Sequence, residues 1–490
     1  MHDDPVTGPS DQLGSRIVRG SVWTAARQAV QQACSLISLV IVARLVPPVE
    51  VGLFSMAMLV LTITRALTET GFEQALIQRK NLTDEVLDVG YSAVLLRAAL
   101  VAAAMVLGAG LFASFFNEPR VAELLRVLAI GVFLEGFVNN RVVLLQRELD
   151  FKRYFYFQAA GQVFGLVVTI ASAFVRHDVW SVVYGQLASA AARVVASYVL
   201  SAQRPKLFFQ WASARELLRY GRWVSASSLL LFALVNGDNL FIGKVIGPSA
   251  LAYYNWAYQL ANLPALFITQ ILSSVMFPAL ASVRTDQDRV GQLFVRSMRL
   301  TWLLSLPSAL LIATLVKPFT VALLGERWLP IVPIAHALAA FGLLRAIGAS
   351  AGALFLAIGR PDLRAKLQFA QLGVFALTIY PLYVRYGVWG VACSATLYSL
   401  LNLWAAYACF RLCQLPLSTL GRASIAHSCA AVCGSAVAYV VARALTAYAW
   451  PALVLGGLSG VLVTALLLAW LDPAGEVGPM LRALRRLKAS

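Results

Sequence analysis

"ARLVPPVEVGLFSMA", residues 43–57, sets a Pro-Pro pair between two long apolar runs. Proline has no N–H to donate and ends a helix. The pair therefore turns the chain between two helices, at a place where water can satisfy the freed backbone groups. A counterpart stands roughly 200 residues further on: "GKVIGPSALAYYNWA", residues 243–257. At nearly constant offset Trp23 matches Trp223, Arg44 matches Lys244, Pro48 matches Pro248 and Phe54 matches Tyr254. Later, "RHDVWSV" (176–182) is echoed by "RYGVWGV" (385–391). Each pair falls before or between helices of the same rank in two six-helix halves. The repeat is therefore expected to be parallel, with its axis along the membrane normal.

The membrane enters through composition. Of 490 residues, 60% are hydrophobic and 13% charged, against about 25% charged in a soluble protein, and mean hydropathy is +0.74. A helix needs about 20 apolar residues to cross the hydrocarbon. Roughly 14 such segments can be counted, the fourth over 121–145 and the seventh over 217–246. The runs are continuous rather than alternating, which argues against a β-barrel. The expected fold is an all-α membrane protein. It has two pseudo-symmetric six-helix lobes, two C-terminal helices and a V-shaped central cavity. Its divisions are a disordered cytoplasmic N-terminus (1–16), an N-lobe (17–203), a cytoplasmic linker (204–216), a C-lobe (217–415), helices thirteen and fourteen (416–472) and a basic tail (473–490). The acidic start and the Arg- and Gln-studded run behind it read as a first membrane helix rather than a cleavable signal peptide.

The net charge of +17 sits in short clusters between apolar runs, not in a stripe on a polar domain. That distribution excludes nucleic acid as a partner and reads as topology. Roughly 25 Lys/Arg fall on one side against roughly 8 on the other, which puts both termini in the cytoplasm.

Within the apolar runs polar residues recur at helical spacing. Helix one carries Thr24, Arg27, Gln28, Gln31 and Ser35, and helix two Thr62, Arg65 and Glu69. Glu135 and Asn139 stand one turn apart in helix four, and Gln186, Ser189 and Arg193 mark helix six. Asn236, Asp238 and Asn239 open the second half, followed by Gln259 and Asn262, while Arg97 and Arg345 lie deep in helices three and ten. A charge at the bilayer centre costs about 2.5–3.5 kcal/mol on insertion scales. These groups therefore pair internally, as Arg65 would with Glu69, or line a wet cavity, and both readings stay open. Arg193 has a third option, snorkelling to the cytoplasmic edge. The surplus of arginine over acid suits an anionic cargo, since guanidinium matches phosphate oxygens and does not deprotonate.

Other motifs mislead. "GDNLFIGKV" (237–245) imitates a phosphate loop with the wrong spacing, and Val245 replaces the Ser or Thr that would hold magnesium. "GASAG" (348–352) spells a nucleophile elbow inside an apolar helix with no partner histidine nearby, so Gly348 and Gly352 read as packing residues. Six scattered cysteines read as small packing residues rather than a metal site or disulfide framework, and the four histidines have no metal-ligand spacing. His336 reads as packed, with a proton relay as the other option. No cofactor, metal or catalytic site is expected.

"SVWTAARQAVQQACSLISLVIVARLVPPVEVGLFSMA" (21–57), followed by "TETGFEQALIQRKNLTDE" (68–85), resembles the opening of bacterial lipopolysaccharide and exopolysaccharide flippases. These belong to the multidrug/oligosaccharidyl-lipid/polysaccharide exporter superfamily. Gly71, Phe72, Ala75, Leu76, Ile77 and Gln78 are the most telling part, and "DNLFIGKVIGPSALAYYNWAYQLANLP" (238–264) looks like the family's second half. The resemblance implies a bacterial inner-membrane flippase moving an undecaprenyl-diphosphate-linked oligosaccharide to the periplasmic leaflet. Alternating access would drive it, coupled to H+ or Na+, with a polysaccharide polymerase downstream. By position it gives the diphosphate to Arg27 and Arg65, supported by Arg97 and Arg345. Sugar contacts fall to Gln31, Asn236, Asn239, Gln259 and Asn262. Buried charge makes Asp238, Glu69 and Glu135 candidates for ion coupling. The alternative is a cation-coupled multidrug exporter of the same superfamily.

Overall fold

The computed structural model describes residues 9–68, 84–148, 150–201, 203–208, 232–233, 235–271, 286–445 and 448–471. The chain divides into two compact units, Met1–Leu251 and Ala252–Ser490. Among the described residues all regular structure is helical. Nine helices there are long and apolar enough to cross a membrane. Their outward faces carry large hydrophobics such as Leu107, 85% exposed, and Val175, 80% exposed. Water would not tolerate so many bare apolar faces, whereas lipid does.

In the first unit the helices are α1 (Pro9–Leu45), α2 (Pro48–Leu67), α3 (Asp84–Phe116), α4 (Arg120–Glu135), α5 (Val142–Arg147), α6 (Phe151–Arg176), α7 (Trp180–Leu200) and α8 (235–245). Pro47 and Pro48 make the α1–α2 joint as the sequence predicts: Pro47 is the extended N-cap of α2 and Pro48 its first residue, where a missing N–H costs nothing. His177, in the left-handed region at φ 56°, ends α6. The α1–α2, α3–α4 and α6–α7 joints meet at one end of the unit around Glu50. Its carboxylate accepts both guanidinium Nη atoms of Arg120 at 2.7 Å and the N–H of Val179 at 3.1 Å. The turn before Pro248 joins them, since a side chain on Gly52 would lie 1.9 Å from the Pro248 carbonyl.

The fourth segment departs from its reading over 121–145. The helix stops at Glu135 and Gly136 caps it. Its 16 residues span about 24 Å, short of the roughly 30 Å hydrocarbon core. A side chain on Gly136 would meet the Ala98 Cβ at 2.6 Å, so the helix ends where it lies close against α3. Asn139 is thus not one helical turn beyond Glu135 but in the connection to α5.

Helix α9 (Pro248–Ile271) runs from the first unit into the second. The second unit continues with α10 (Gln287–Phe319), α11 (Ile331–Ala357), α12 (Pro361–Ser399), α13 (Leu401–Leu412), α14 (Gly421–Ala444) and α15 (Ala449–Leu471). A π turn, Thr320–Leu324, extends α10. Helix α12 is two helices meeting at Gly387, whose φ of 60° and ψ of −141° favour a residue without a Cβ. That joint lies inside "RYGVWGV", and its counterpart "RHDVWSV" spans the α6–α7 joint, so both quoted stretches turn the chain between helices. Trp328 stacks on Trp256 at 3.9 Å with the planes 4° apart, fixing the start of α11 against α9.

Two antiparallel seams use small residues in the same way. Gly161, Gly165, Thr169 and Ala173 form the buried stripe of α6, facing Gly185 and Ser189 of α7. Gly434 and Ala438 of α14 face Gly456, Gly460 and Thr464 of α15. Close backbone approach supplies dispersion contact where lipid removes the hydrophobic drive between helices. A Cβ at Gly185 would stand 1.7 Å from Thr169 Oγ1 and 2.9 Å from the Gly165 carbonyl, whereas one at Gly373 meets nothing within 4 Å. Gly185→Ala should therefore lower unfolding stability in micelles by about 1–3 kcal/mol. Gly373→Ala, in the interior of α12, should be neutral or raise it by up to about 1 kcal/mol. Thermal denaturation of the two variants side by side reads the opposite signs.

Candidate functional site: an arginine-rich polar core

The first unit places charge inside its helices at one level. Arg65 comes from the last turn of α2, Glu135 is the final residue of α4, and Arg193 lies in α7. At about 1.5 Å per residue they stand roughly 20–26 Å along their helices from Pro48, Arg120 and Trp180, all of which start at the Glu50 end. Arg65 Nη2 donates to Glu135 Oε2 at 2.5 Å, and Arg193 Nη2 donates to Glu135 Oε1. Arg97 Nη2 reaches the Arg65 carbonyl at 3.5 Å. One carboxylate thus serves two guanidiniums, leaving the three-residue cluster one positive charge in surplus.

Its side chains are partly open, Arg65 43%, Arg193 31% and Glu135 27% exposed. Arg193 Nε is buried without a hydrogen-bond partner. A guanidinium open to bare hydrocarbon is costly, so the open side faces water or an anion. The partner expected for Arg65, Glu69, lies outside the described residues, as do Trp223 and residues 71–78. The cytoplasmic-edge alternative for Arg193 gives way to an ion pair with Glu135.

The remaining predicted residues are dispersed. Arg27 is half-buried in α1, which leans on α6 through Trp23 against Phe155 and Tyr156. Gln31 and Gln259 are exposed and Asn236 half-buried. Asp238 and Asn239 are buried, and the Asp238 carboxylate accepts the Asn239 N–H at 2.8 Å. Asn239 and Asn262 each bury an Oδ1 without a hydrogen-bond partner. Arg345 lies in the second unit. Its guanidinium donates to the Tyr258 hydroxyl and lies 5.9 Å over the rings of Tyr258 and Phe341. Such cation–π contact holds a cation in place without neutralising it.

The misleading motifs take structural parts. Within the GDNLFIGKV helix, Lys244 Nζ donates to Asn117 Oδ1 at 3.4 Å and stands 5.2 Å over the Phe115 ring. Gly348 packs on Asn402, as a packing residue should, but Gly352 has nothing closer than 3.8 Å. His336 Nε2 bonds the Ala313 carbonyl oxygen at 2.8 Å. All six cysteines are free; Cys34 and Cys409 are buried, but Cys429 and Cys433 are exposed on α14.

Sequence reasoning missed a second charged cluster, at the end of the first unit away from Glu50. Arg141, its side chain 6% exposed, donates to Asp84 Oδ1 at 2.6 Å, Asp88 Oδ1 at 3.4 Å and Gln203 Oε1 at 2.5 Å. The signal was present as two acids one helical turn apart opening α3, with "NNR" at 139–141. The same cluster straps the chain after α7 to α3: the Lys206 N–H donates to Asp88 Oδ1 and the Phe208 N–H to Ser92 Oγ. Four helical residues rise about 6 Å and two extended residues about 6.6 Å, so acceptor and donor spacings agree.

The fold and the internal charges define a multi-helix membrane protein with charge buried among its helices. The structure of the lipid II flippase MurJ in an inward closed conformation superposes with a TM-score of 0.71, at 15% identity, over 92% of this chain and 98% of that one. An inward-facing MATE-family multidrug resistance transporter of the MOP superfamily gives 0.62, at 18% identity, over 78% and 96%. This chain belongs to the polysaccharide biosynthesis protein family, whose model matches residues 41–333. Similar relatives include the lipopolysaccharide biosynthesis protein WzxC of Escherichia coli K12, 24% identical over 397 residues, 81% of each chain. The teichuronic acid biosynthesis protein TuaB of Bacillus subtilis 168 is 24% identical over 75% of this chain and 77% of its own. The succinoglycan biosynthesis transport protein ExoT of Rhizobium meliloti 1021 is 22% identical over 66% and 65%.

Removing Arg141 leaves the buried Asp88 carboxylate, its side chain 12% exposed, without that guanidinium, while Asp84, 69% exposed, stays in water. Arg141→Met should cost about 3–5 kcal/mol, whereas Arg120→Met, at a salt bridge whose arginine is 47% exposed, should cost about 1 kcal/mol or less. Chemical denaturation of the purified protein checks the ranking.

Proposed function

We propose that this chain is a flippase for a lipid-linked oligosaccharide: an undecaprenyl diphosphate carrying one repeat unit, moved from the cytoplasmic to the periplasmic leaflet of the bacterial inner membrane. The observation that carries the reading is the Arg65–Glu135–Arg193 cluster, with its surplus positive charge and open side where α2, α4 and α7 meet. Such a site welcomes an anion, and guanidinium pairs recognise phosphate oxygens in bidentate fashion. The family's place in polysaccharide biosynthesis supports a glycan cargo, as does the naming of ExoT as a transport protein and MurJ as a flippase.

In this proposal fourteen helices form two six-helix lobes related by a parallel repeat (17–203 and 217–415). Residues 204–216 link them, helices thirteen and fourteen (416–472) are appended, and both termini (1–16 and 473–490) are cytoplasmic. Diphosphate and sugars cross in a wet V-shaped cavity while the isoprenoid stays in lipid, which avoids dehydrating polar groups. Rocking of the lobes exchanges the open side. Arg27 and Arg65 hold the diphosphate, with Arg97 and Arg345 behind them, and Gln31, Asn236, Asn239, Gln259 and Asn262 meet sugars. Asp238, Glu69 and Glu135 couple H+ or Na+, and a polysaccharide polymerase takes the product. A multidrug exporter, the second reading, would need acids in surplus to attract cations, the reverse of the Arg65 cluster.

Deleting the gene should make lipid-linked repeat units accumulate in the cytoplasmic leaflet. Arg27→Ala and Arg65→Ala should fail to restore polymer while inserting at normal levels; full restoration by both removes the diphosphate role. Overexpression should leave drug susceptibility unchanged, and a rise in resistance favours the exporter reading.

A further inference from the structure

We infer that Glu135 is a built-in stand-in for the anionic head group: it occupies the Arg65–Arg193 pair in the resting protein, and a diphosphate takes the pair by displacing it. Arg193, which the sequence did not mark as a binding residue, becomes half of the site. The inference rests on the flippase reading above and specifies its head-group site.

The argument starts from donors and acceptors. Each guanidinium offers five N–H donors, and Glu135 takes one from each side, through Oε2 to Arg65 and Oε1 to Arg193. Arg193 Nε is buried without a hydrogen-bond partner. The cluster is therefore held in shape by one carboxylate yet far from saturated by it. Two oxygens of a phosphoryl group are spaced much as the two of a carboxylate, so one phosphate fits both seats at once. A second phosphate adds acceptors for donors that Glu135 leaves over, and its extra charge matches the surplus.

The scaffold favours exchange at this point. Glu135 is the last residue of α4, next to the break at Gly136, so its backbone is not followed by further helical turns. Arg65 likewise lies in the last turn of α2, with Thr68 as the C-cap. Arg193, by contrast, sits in the interior of α7, where the small-residue seam packs it against Gly161; a Cβ there would stand 2.5 Å from Arg193 Cγ. One fixed arginine and one terminal carboxylate make a site in which the acid swings away and the guanidinium stays. Holding the pair closed in the empty state also keeps two like charges from repelling each other while no ligand is present.

A ligand that must evict an internal competitor binds with its affinity reduced by the fraction of time the site is free. The test titrates inorganic pyrophosphate, without magnesium, into the full chain in phosphatidylcholine nanodiscs, read by calorimetry. Glu135→Gln should tighten binding by about tenfold, as for a stand-in that fills the site nine-tenths of the time. Glu135→Asp, which keeps the charge on a shorter arm and holds the fold if the first variant does not, should tighten it by less. Arg193→Gln should weaken it. Wild-type or weaker affinity in both Glu135 variants overturns the stand-in, and unchanged affinity in Arg193→Gln removes Arg193 from the site. Repeating the titration in phosphatidylglycerol nanodiscs, with both lipids compared at a salt concentration high enough to screen the repulsion between the anionic surface and pyrophosphate, separates a diphosphate from an ordinary lipid phosphate: binding should persist, and its loss there assigns the site to phospholipid head groups. Accumulation of lipid-linked units on gene deletion with no effect of Glu135 on pyrophosphate leaves the flippase reading intact and sinks the stand-in; the converse result does the opposite.

Discussion

Hydrocarbon solvates neither an unpaired N–H nor a guanidinium, and this single constraint arranges the rest of the molecule. Backbone groups close into helices because no other open structure satisfies them in lipid. Charges gather where they meet each other. In the first unit they do so at three levels: Glu50 with Arg120 at one end, Arg65 and Arg193 on Glu135 within the helices, and Arg141 with Asp84 and Asp88 at the other end. The two end clusters hold connections in register. Of these three clusters, counted over the described residues, the inner one has more arginine than acid, so it is the cluster with chemistry to spare.

The joints were legible from local chemistry. Pro47 and Pro48 announce a turn because proline cannot continue a helix, and the echo of "RHDVWSV" in "RYGVWGV" marks a second kind of joint. The pairings were not legible. Arg65 finds Glu135 at a separation of 70 residues, while the residue one turn away in sequence, Glu69, offered an easier story. Helical spacing identifies which groups share a face, but it carries no record of which neighbouring helix that face meets. The break after Glu135 was hidden for a related reason: "GFV" after "FLE" is apolar enough to read as more helix. Only the approach of Ala98 shows why a glycine is needed at 136.

Small residues divide the same way. The stripe Gly161, Gly165, Thr169, Ala173 has helical spacing that could have been read as a seam. Its partner Gly185 is recognisable only once Thr169 is seen filling the space a side chain would take. Gly348 and Gly352 look equivalent in sequence, yet only the first is pressed, against Asn402. Packing depends on the neighbour as much as on the residue.

The Glu50 hub has a practical side. Surface turns ordinarily tolerate inserted peptide, which is why tags are placed there. Here two or three residues separate consecutive helices at 46–47, 117–119 and 177–179, and a shared carboxylate binds groups from all three neighbourhoods. An epitope spliced into any one of them would pull on the other two, so reporters of membrane sidedness belong elsewhere in this protein.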